Sequence, residues 1–198
     1  PIVRGGNLTY TFRAPDPGTY FFHPHSGVQI DRGLYAPLII DDPAEPGGYD
    51  AEWVLVLDDW TDGVGKSPDD ILAEFKAQNG TVSKGMNHDM SGMDGMGSSP
   101  LGDVGDIAYP HYLINGRVPT APRTLTGKPG QKVRVRVINA AADTLFRVAL
   151  GGHMLTVTHT DGYPVQPVET RALYLAQGER VDVFVTLGDG VFPLVAAA

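Results

Sequence analysis

Gly18-Thr-Tyr-Phe-Phe-His-Pro-His-Ser-Gly-Val-Gln-Ile-Asp-Arg-Gly-Leu-Tyr-Ala-Pro-Leu-Ile-Ile-Asp41 is the stretch whose reading decides the fold. An aromatic run suited to a strand leads into His23 and His25, which flank Pro24. In extended backbone, residues i and i+2 leave the same face, so both imidazoles project to one side. Pro24 reinforces this by pushing the residue before it into the extended region. Convergent neutral imidazoles suit copper, zinc or iron rather than magnesium or calcium. Spacing alone leaves a ligand pair and a solvated surface pair equally open.

Outward from this stretch, the chain reads as short strands with one short helix. Upstream, Leu8, Tyr10 and Phe12 alternate with Thr9, Thr11 and Arg13, predicting a half-buried strand, and Asp16-Pro17-Gly18 predicts a turn. Downstream, Leu34 to Ile40 is a second apolar run, and residues 43–50 read as a linker between two domains. Glu52 to Trp60 predicts a buried strand, with Asp58 and Asp59 facing opposite ways and so unable to act as a carboxylate pair. Ser67 followed by Pro68 caps a helix through Ile71 to Asn79, with Gly80 beyond its end. Asn115-Gly116 predicts a hairpin turn.

Lys132 to Asn139 alternates strictly, placing Val133, Val135 and Val137 inward and Lys132, Arg134 and Arg136 on a solvated face or one that docks onto another domain. Leu145–Leu150, Leu155–Thr158, Ala172–Leu175, Arg180–Thr186 and Phe192–Val195 complete the predicted strands. Turn signals every ten residues or so indicate an all-β sandwich or barrel.

Composition narrows the function. With Lys and Arg numbering 15 against 23 Asp and Glu, the net charge of −8 opposes a nucleic-acid partner held through phosphates. No apolar run approaches the 18 or more residues that a membrane span needs. Cysteine is absent, which removes disulfides and thiolate chemistry from this chain. No Gly-Ser elbow, phosphate loop or dinucleotide fingerprint occurs. The balance fits a periplasmic or secreted bacterial protein.

The opening motif, with Gln29, Arg32-Gly33-Leu34-Tyr35 and Pro37-Leu38-Ile39-Ile40, resembles the end of the first cupredoxin domain of multicopper oxidases. That family includes laccases, spore-coat oxidases and bacterial copper-resistance oxidases. Leu113-Ile-Asn-Gly, Val135-Arg-Val-Ile-Asn-Ala-Ala, Phe146-Arg-Val-Ala-Leu-Gly-Gly-His, Thr160-Asp-Gly and Gly178-Glu-Arg-Val-Asp-Val resemble the middle, copper-free domain of its three-domain members.

The resemblance implies cupredoxin-like Greek-key domains, one partial over residues 1–42 and one nearly complete over 51–198, joined by 43–50. It implies that His23 and His25 each ligate one ion of a type 3 copper pair. It also implies that the parent protein oxidises phenols, aromatic amines or metal ions by one-electron steps and reduces O2 to water. That reaction requires a type 1 copper and a trinuclear type 2/type 3 cluster, so further cupredoxin segments are expected before Pro1 and after Ala198. With one histidine pair and no Cys, this chain alone is expected to be inactive.

Residues 83–100 are a second anomaly: Met86, Met90, Met93 and Met96 cluster around His88. Their spacing would stripe one helix face, but Gly92, Gly95 and Gly97 each cost roughly 1 kcal/mol in a helix interior. Thioethers and imidazole favour Cu(I), and similar Met-rich insertions occur in copper-resistance members of the resembled family. The expectation is a copper-handling loop. His153 reads as structural, and His159 and His111 as polar residues without a second ligand nearby. Two other readings of the parent stay open: a copper-sequestering protein, and a copper-free structural cupredoxin.

Overall fold

The chain builds three layers of strand, seen in a computed structural model that describes residues 2–45, 47–77, 107 and 109–198. In order, its elements are β1 (Gly18–Phe22), β2 (Ala36–Ile40), β3 (Ala51–Trp60), α1 (Pro68–Ala77), β4 (His111–Ile114), β5 (Lys132–Asn139), β6 (Phe146–Leu150), β7 (Leu155–Thr160), β8 (Tyr163–Thr170), β9 (Leu173–Leu175), β10 (Arg180–Thr186) and β11 (Leu194–Ala197). A 3-10 turn, Ile30–Arg32, lies between β1 and β2.

The middle layer is a six-stranded sheet in the order β4-β3-β5-β10-β7-β8. Its β3–β5 pair is parallel and its other pairs antiparallel. One flanking layer is the sheet β11-β6-β9, and the other is the β1–β2 hairpin. None of these sheets closes, so the all-β, cupredoxin-like architecture is an open sandwich rather than a barrel.

Alternation explains the main core. Leu55 and Leu57 of β3, Val133, Val135 and Val137 of β5, and Val181, Val183 and Val185 of β10 share one face of the six-stranded sheet. They pack on Phe146, Val148, Leu173 and Leu175 of the smaller sheet. Burying each such side chain is worth about 1.5–3 kcal/mol, so this face holds the two sheets together. A tight turn sets the β4 edge: Asn115 and Gly116 take φ of 51° and 69°, and the Asn115 side chain bonds Val56 N at 2.8 Å and Val54 O at 3.0 Å. The helix begins as expected, with Ser67 Oγ accepting from Asp70 N at 3.2 Å and donating to its carboxylate at 2.6 Å.

The opposite face of the sheet corrects the first of the two sequence readings. Arg134 and Arg136 are not solvated; each is only 2% exposed. The β1–β2 hairpin lies over them and closes a charge network centred on Asp182. Arg134 donates to Asp182 Oδ2 from Nη2 at 2.7 Å and Nε at 3.1 Å, and pairs with Glu45 through Nη1. Arg136 Nη1 donates to Asp182 Oδ2 at 3.1 Å and to Thr19 Oγ1 at 2.8 Å, while Nη2 pairs with Glu52 at 2.8 Å. Thr19 in turn donates to Asp182 Oδ1 at 2.7 Å. Alternation assigns a residue to a face but does not say what covers that face, and here the cover comes from more than a hundred residues away in sequence.

Two glycines let the hairpin sit so close. Gly18 has φ +143°, and a Cβ there would lie 2.6 Å from Gly162 O. Gly162 has φ +91°, and its Cβ would lie 2.8 Å from the Tyr20 ring. Either side chain would wedge β1 away from the β7–β8 turn.

Two further expectations change. Leu8, Tyr10 and Phe12 form no strand and are 56%, 78% and 68% exposed, because no described strand pairs with them. Conversely, the sequence pattern predicts no strand where β8 lies. Its Pro164 and Pro167 break the usual strand signature; proline in sheets is confined largely to edge strands and bulges, and β8 is an edge strand with a register shift against β7.

Asp182→Ala tests the buried network. It leaves two desolvated guanidinium groups without their shared carboxylate, and the expected loss is about 3–5 kcal/mol in urea denaturation. A loss below about 0.5 kcal/mol, the value for an ordinary surface position, would restore the solvated-face reading.

Candidate functional site

His23 and His25 follow β1 directly, and the strand's alternation carries through them. Phe21 and His23 stack with ring centroids 5.0 Å apart and planes within 13°. His23 and His25 lie 4.6 Å apart, tilted by 37°. Three successive odd-numbered rings therefore occupy one side of the chain, as the i, i+2 argument requires. His23 is half-buried and His25 exposed. His23 Nδ1 lies 3.2 Å from the Pro24 carbonyl, which fits the Nδ1–H tautomer and leaves the Nε2 lone pair free to bind a metal.

The loop after the pair is fastened to β3 and its surroundings by side chains. Tyr35 donates to Asp58 Oδ2 at 2.5 Å, and Tyr109, just before β4, donates to Asp31 Oδ1 at 2.8 Å. Arg32 pairs with Asp62 at 2.9 Å and Asp69 at 2.5 Å, reaching the first turn of α1. Gly33, with φ +74°, brings the backbone against Trp60, whose ring would be 3.3 Å from a Cβ there. As expected, Asp58 and Asp59 point opposite ways. Asp59 accepts from the backbone N–H groups of Ala142, Asp143 and Thr144, each at 3.0 Å, and from Thr144 Oγ1 at 2.7 Å.

Burial dominates the electrostatics of this cluster. It pushes Asp58 up to about 7, with the Tyr35 hydrogen bond opposing and Asp59 adding to the rise. Burial likewise raises Asp31, against the hydrogen bond from Tyr109. Tyr35 is raised by burial and then by Asp58, so its hydroxyl stays protonated and remains a donor. Sequence reasoning assigned these residues no role. The only signal was Tyr35 inside the quoted Gly-Leu-Tyr run, and nothing in the sequence names Asp58 as its partner.

Elsewhere, His153 is structural. Its Nδ1 lies 2.7 Å from Gly151 O, and Nε2 accepts from Gly188 N at 2.9 Å. His159 sits opposite Asp182 in the sheet, bonds Thr158 Oγ1 at 3.0 Å, and is held below the usual imidazole range by burial and by Arg134. His111 is half-buried on β4 opposite Trp60. Among the described residues no three His, Cys, Asp or Glu side chains gather as a metal cluster. Met86, His88, Met90, Met93 and Met96 lie outside the described residues. No helix among those described is long and apolar enough to cross a membrane.

The chain is an open cupredoxin-like sandwich joined to a hairpin that carries His23 and His25, and comparison with known proteins gives its family. Two family models described as multicopper oxidase match, one over residues 1–45 and the other over 51–197. The chain belongs to the multicopper oxidase family, whose members use copper.

It is 57% identical over all of its 198 residues to multicopper oxidase MmcO of Mycobacterium tuberculosis, spanning 39% of that protein. It is 35% identical to copper resistance protein A of Pseudomonas syringae pv. tomato over 93% of its own length, spanning 33% of that relative. Among solved structures, the laccase from Botrytis aclada matches 96% of this chain with a TM-score of 0.68 and 29% identity, over 32% of that chain. Fet3p, a multicopper oxidase that functions in iron import, shares the fold with a TM-score of 0.71 at 20% identity, over 91% of this chain and 30% of its own.

The Asp58 carboxyl generates a prediction whose sign is fixed. The unfolded chain releases this proton near 3.8 and the folded chain near 7. Between those values the folded state alone holds the proton, so stability falls as pH rises through the window. Denaturation measured from pH 4 to 8 is expected to show a loss of up to about 4 kcal/mol from this group. Asp58→Asn is expected to remove that slope, and an unchanged slope would reject the assignment.

Proposed function

We propose that this chain supplies two copper-binding imidazoles, His23 and His25, to a laccase-like multicopper oxidase. Its substrates would be phenols, aromatic amines or metal ions oxidised by one-electron steps, with O2 reduced to water. The observation that carries the reading is the His23–His25 geometry: two rings on one side of a strand end, one with Nδ1 turned to a carbonyl. Family membership and similarity to a laccase support it.

The donors fit copper, as a share of a centre rather than the whole of it. Two imidazoles are too few for a closed site, and the chain has no Cys for a type 1 ion. We assign His23 and His25 to different ions of a type 3 pair. Copper would supply reversible one-electron storage. This chain's own part is orientation: Pro24 restricts the backbone, Phe21 stacks on His23, and the Pro24 carbonyl sets its tautomer.

On this reading residues 1–42 complete a first cupredoxin domain and 51–198 form a second, copper-free one, joined by 43–50. The partners are O2, a small reducing substrate and the remaining cupredoxin segments, and the location is periplasmic or secreted. His23→Ala and His25→Ala in the full-length protein are expected to lower bound copper and abolish O2 consumption, while the type 1 copper is still reduced by substrate. Normal O2 consumption in either variant would remove these histidines from the centre.

The Met-rich segment 83–100 we read as a Cu(I)-handling site, on its soft donors and on the similarity to copper resistance protein A. Replacing Met86, Met90, Met93 and Met96 with Leu is expected to weaken Cu(I) binding at least ten-fold in competition with a chelator. Unchanged affinity would make the segment an ordinary connection.

A further inference from the structure

We infer that Tyr35, Asp58, Tyr109 and Asp31 are positioning residues: two phenol–carboxylate pairs that hold the segment after His25 on β3 and on the approach to β4, and thereby fix where the histidine pair points. The positioning role rests on reading that pair as copper ligands, and it deepens that reading.

Among the described residues, the backbone between His25 and β2 has no strand partner. Its hydrogen bonds are local: Arg32 N to Gln29 O at 3.2 Å, Gly33 N to Ile30 O at 2.9 Å, and Leu34 N to Gln29 O at 3.2 Å. These shape the segment without attaching it to any other described element. Attachment falls to side chains, and the two phenol–carboxylate pairs do it in opposite senses. Tyr35 donates from the segment to β3, and Tyr109, just before β4, donates into the segment.

Tyr109 is 6% exposed and Asp58 2%, so both bonds are made largely out of water and are costly to lose. The Arg32 pairs are a weaker tie, because the guanidinium is 41% exposed and surface pairs are worth about 0–1 kcal/mol. The two bonded pairs also bridge the stretches matched by the two family models, so the ligand-bearing segment is seated on the copper-free domain.

The chemistry of the cluster adds a pH response. Around Asp58 stand Tyr35 from the segment, Asp31 from the 3-10 turn and Asp59 from β3 itself. Tyr109, Tyr112 of β4 and Asp143 complete the cluster. Arg32, the cation within the segment, is engaged by Asp62 and Asp69. An ionised Asp58 therefore faces like charges and regains water only if the segment lifts. Seating is tightest below neutral pH and relaxes above it.

Hydrogen exchange of the full-length protein, stripped of metal by a chelator, tests the struts without relying on copper. Exchange of residues 26–34 is expected to be slower at pH 6 than at pH 8.5 after correction for intrinsic rates. Tyr35→Phe and Tyr109→Phe are each expected to speed it about ten-fold while β5 and β10 stay as protected as before. Asp58→Asn keeps an acceptor for Tyr35 and is expected to retain the protection but lose its pH dependence. Unchanged exchange in both Phe variants, or a persisting pH response in Asp58→Asn, overturns the inference. Copper content then separates the two readings. If His23→Ala loses copper but the Tyr35→Phe/Tyr109→Phe double variant keeps all of it, the positioning role is overturned. If His23→Ala keeps its copper, the ligand reading fails while the struts, read by exchange, stand.

Discussion

The Asp182 carboxylate is the constraint on which most of this structure depends. It lies in the middle of β10, on the face away from the main core, and takes hydrogen bonds from Arg134, Arg136 and Thr19 at once. Two guanidinium groups brought out of water repel each other and are tolerable only with anions between and around them. Asp182, Glu45 and Glu52 supply those anions from three separate elements. The network is a poor way to gain stability and a good way to enforce one arrangement, since the hairpin reaches its partners in a single register. Thr19 places β1, and β1 aims the rings that follow it.

The histidine pair thus has two supports of different kinds. Upstream, Gly18 against Gly162 and Thr19 against Asp182 fix the strand on which the rings are mounted. Downstream, Tyr35 and Asp31 fix the return of the chain. Neither support touches an imidazole directly. On the proposed reading of the rings as copper ligands, such indirect support matters, because they must hold their places before any metal arrives.

What the sequence revealed follows from what its patterns can encode. The aromatic strand, the His23–His25 side and the β5 and β10 valines were legible because alternation reports directly on faces. The Ser67–Asp70 cap and the Asn115-Gly116 turn were legible because their chemistry is local. The burial of Arg134 and Arg136 was not, since their cover is a hairpin distant in sequence. Leu8, Tyr10 and Phe12 misled for the converse reason: they alternate, but no described strand pairs with them. Alternation turns Asp58 away from Asp59, as the structure has it, yet its partner Tyr35 sits in another segment and only the folded chain pairs them.

The outer edge of the six-stranded sheet carries a consequence for how this protein behaves in a crowded solution. Strand β8 ends that sheet and exposes Tyr163, Val165 and Val168. Unprotected edges of this kind template the addition of strands from other molecules and start aggregates. Pro164 and Pro167 carry no N–H to offer any partner strand, and the register shift in the β7–β8 pairing at Val157/His159 makes that ladder irregular. With the net charge of −8 adding mutual repulsion, the same prolines that hid β8 from sequence reading guard the fold against joining its neighbours edge to edge.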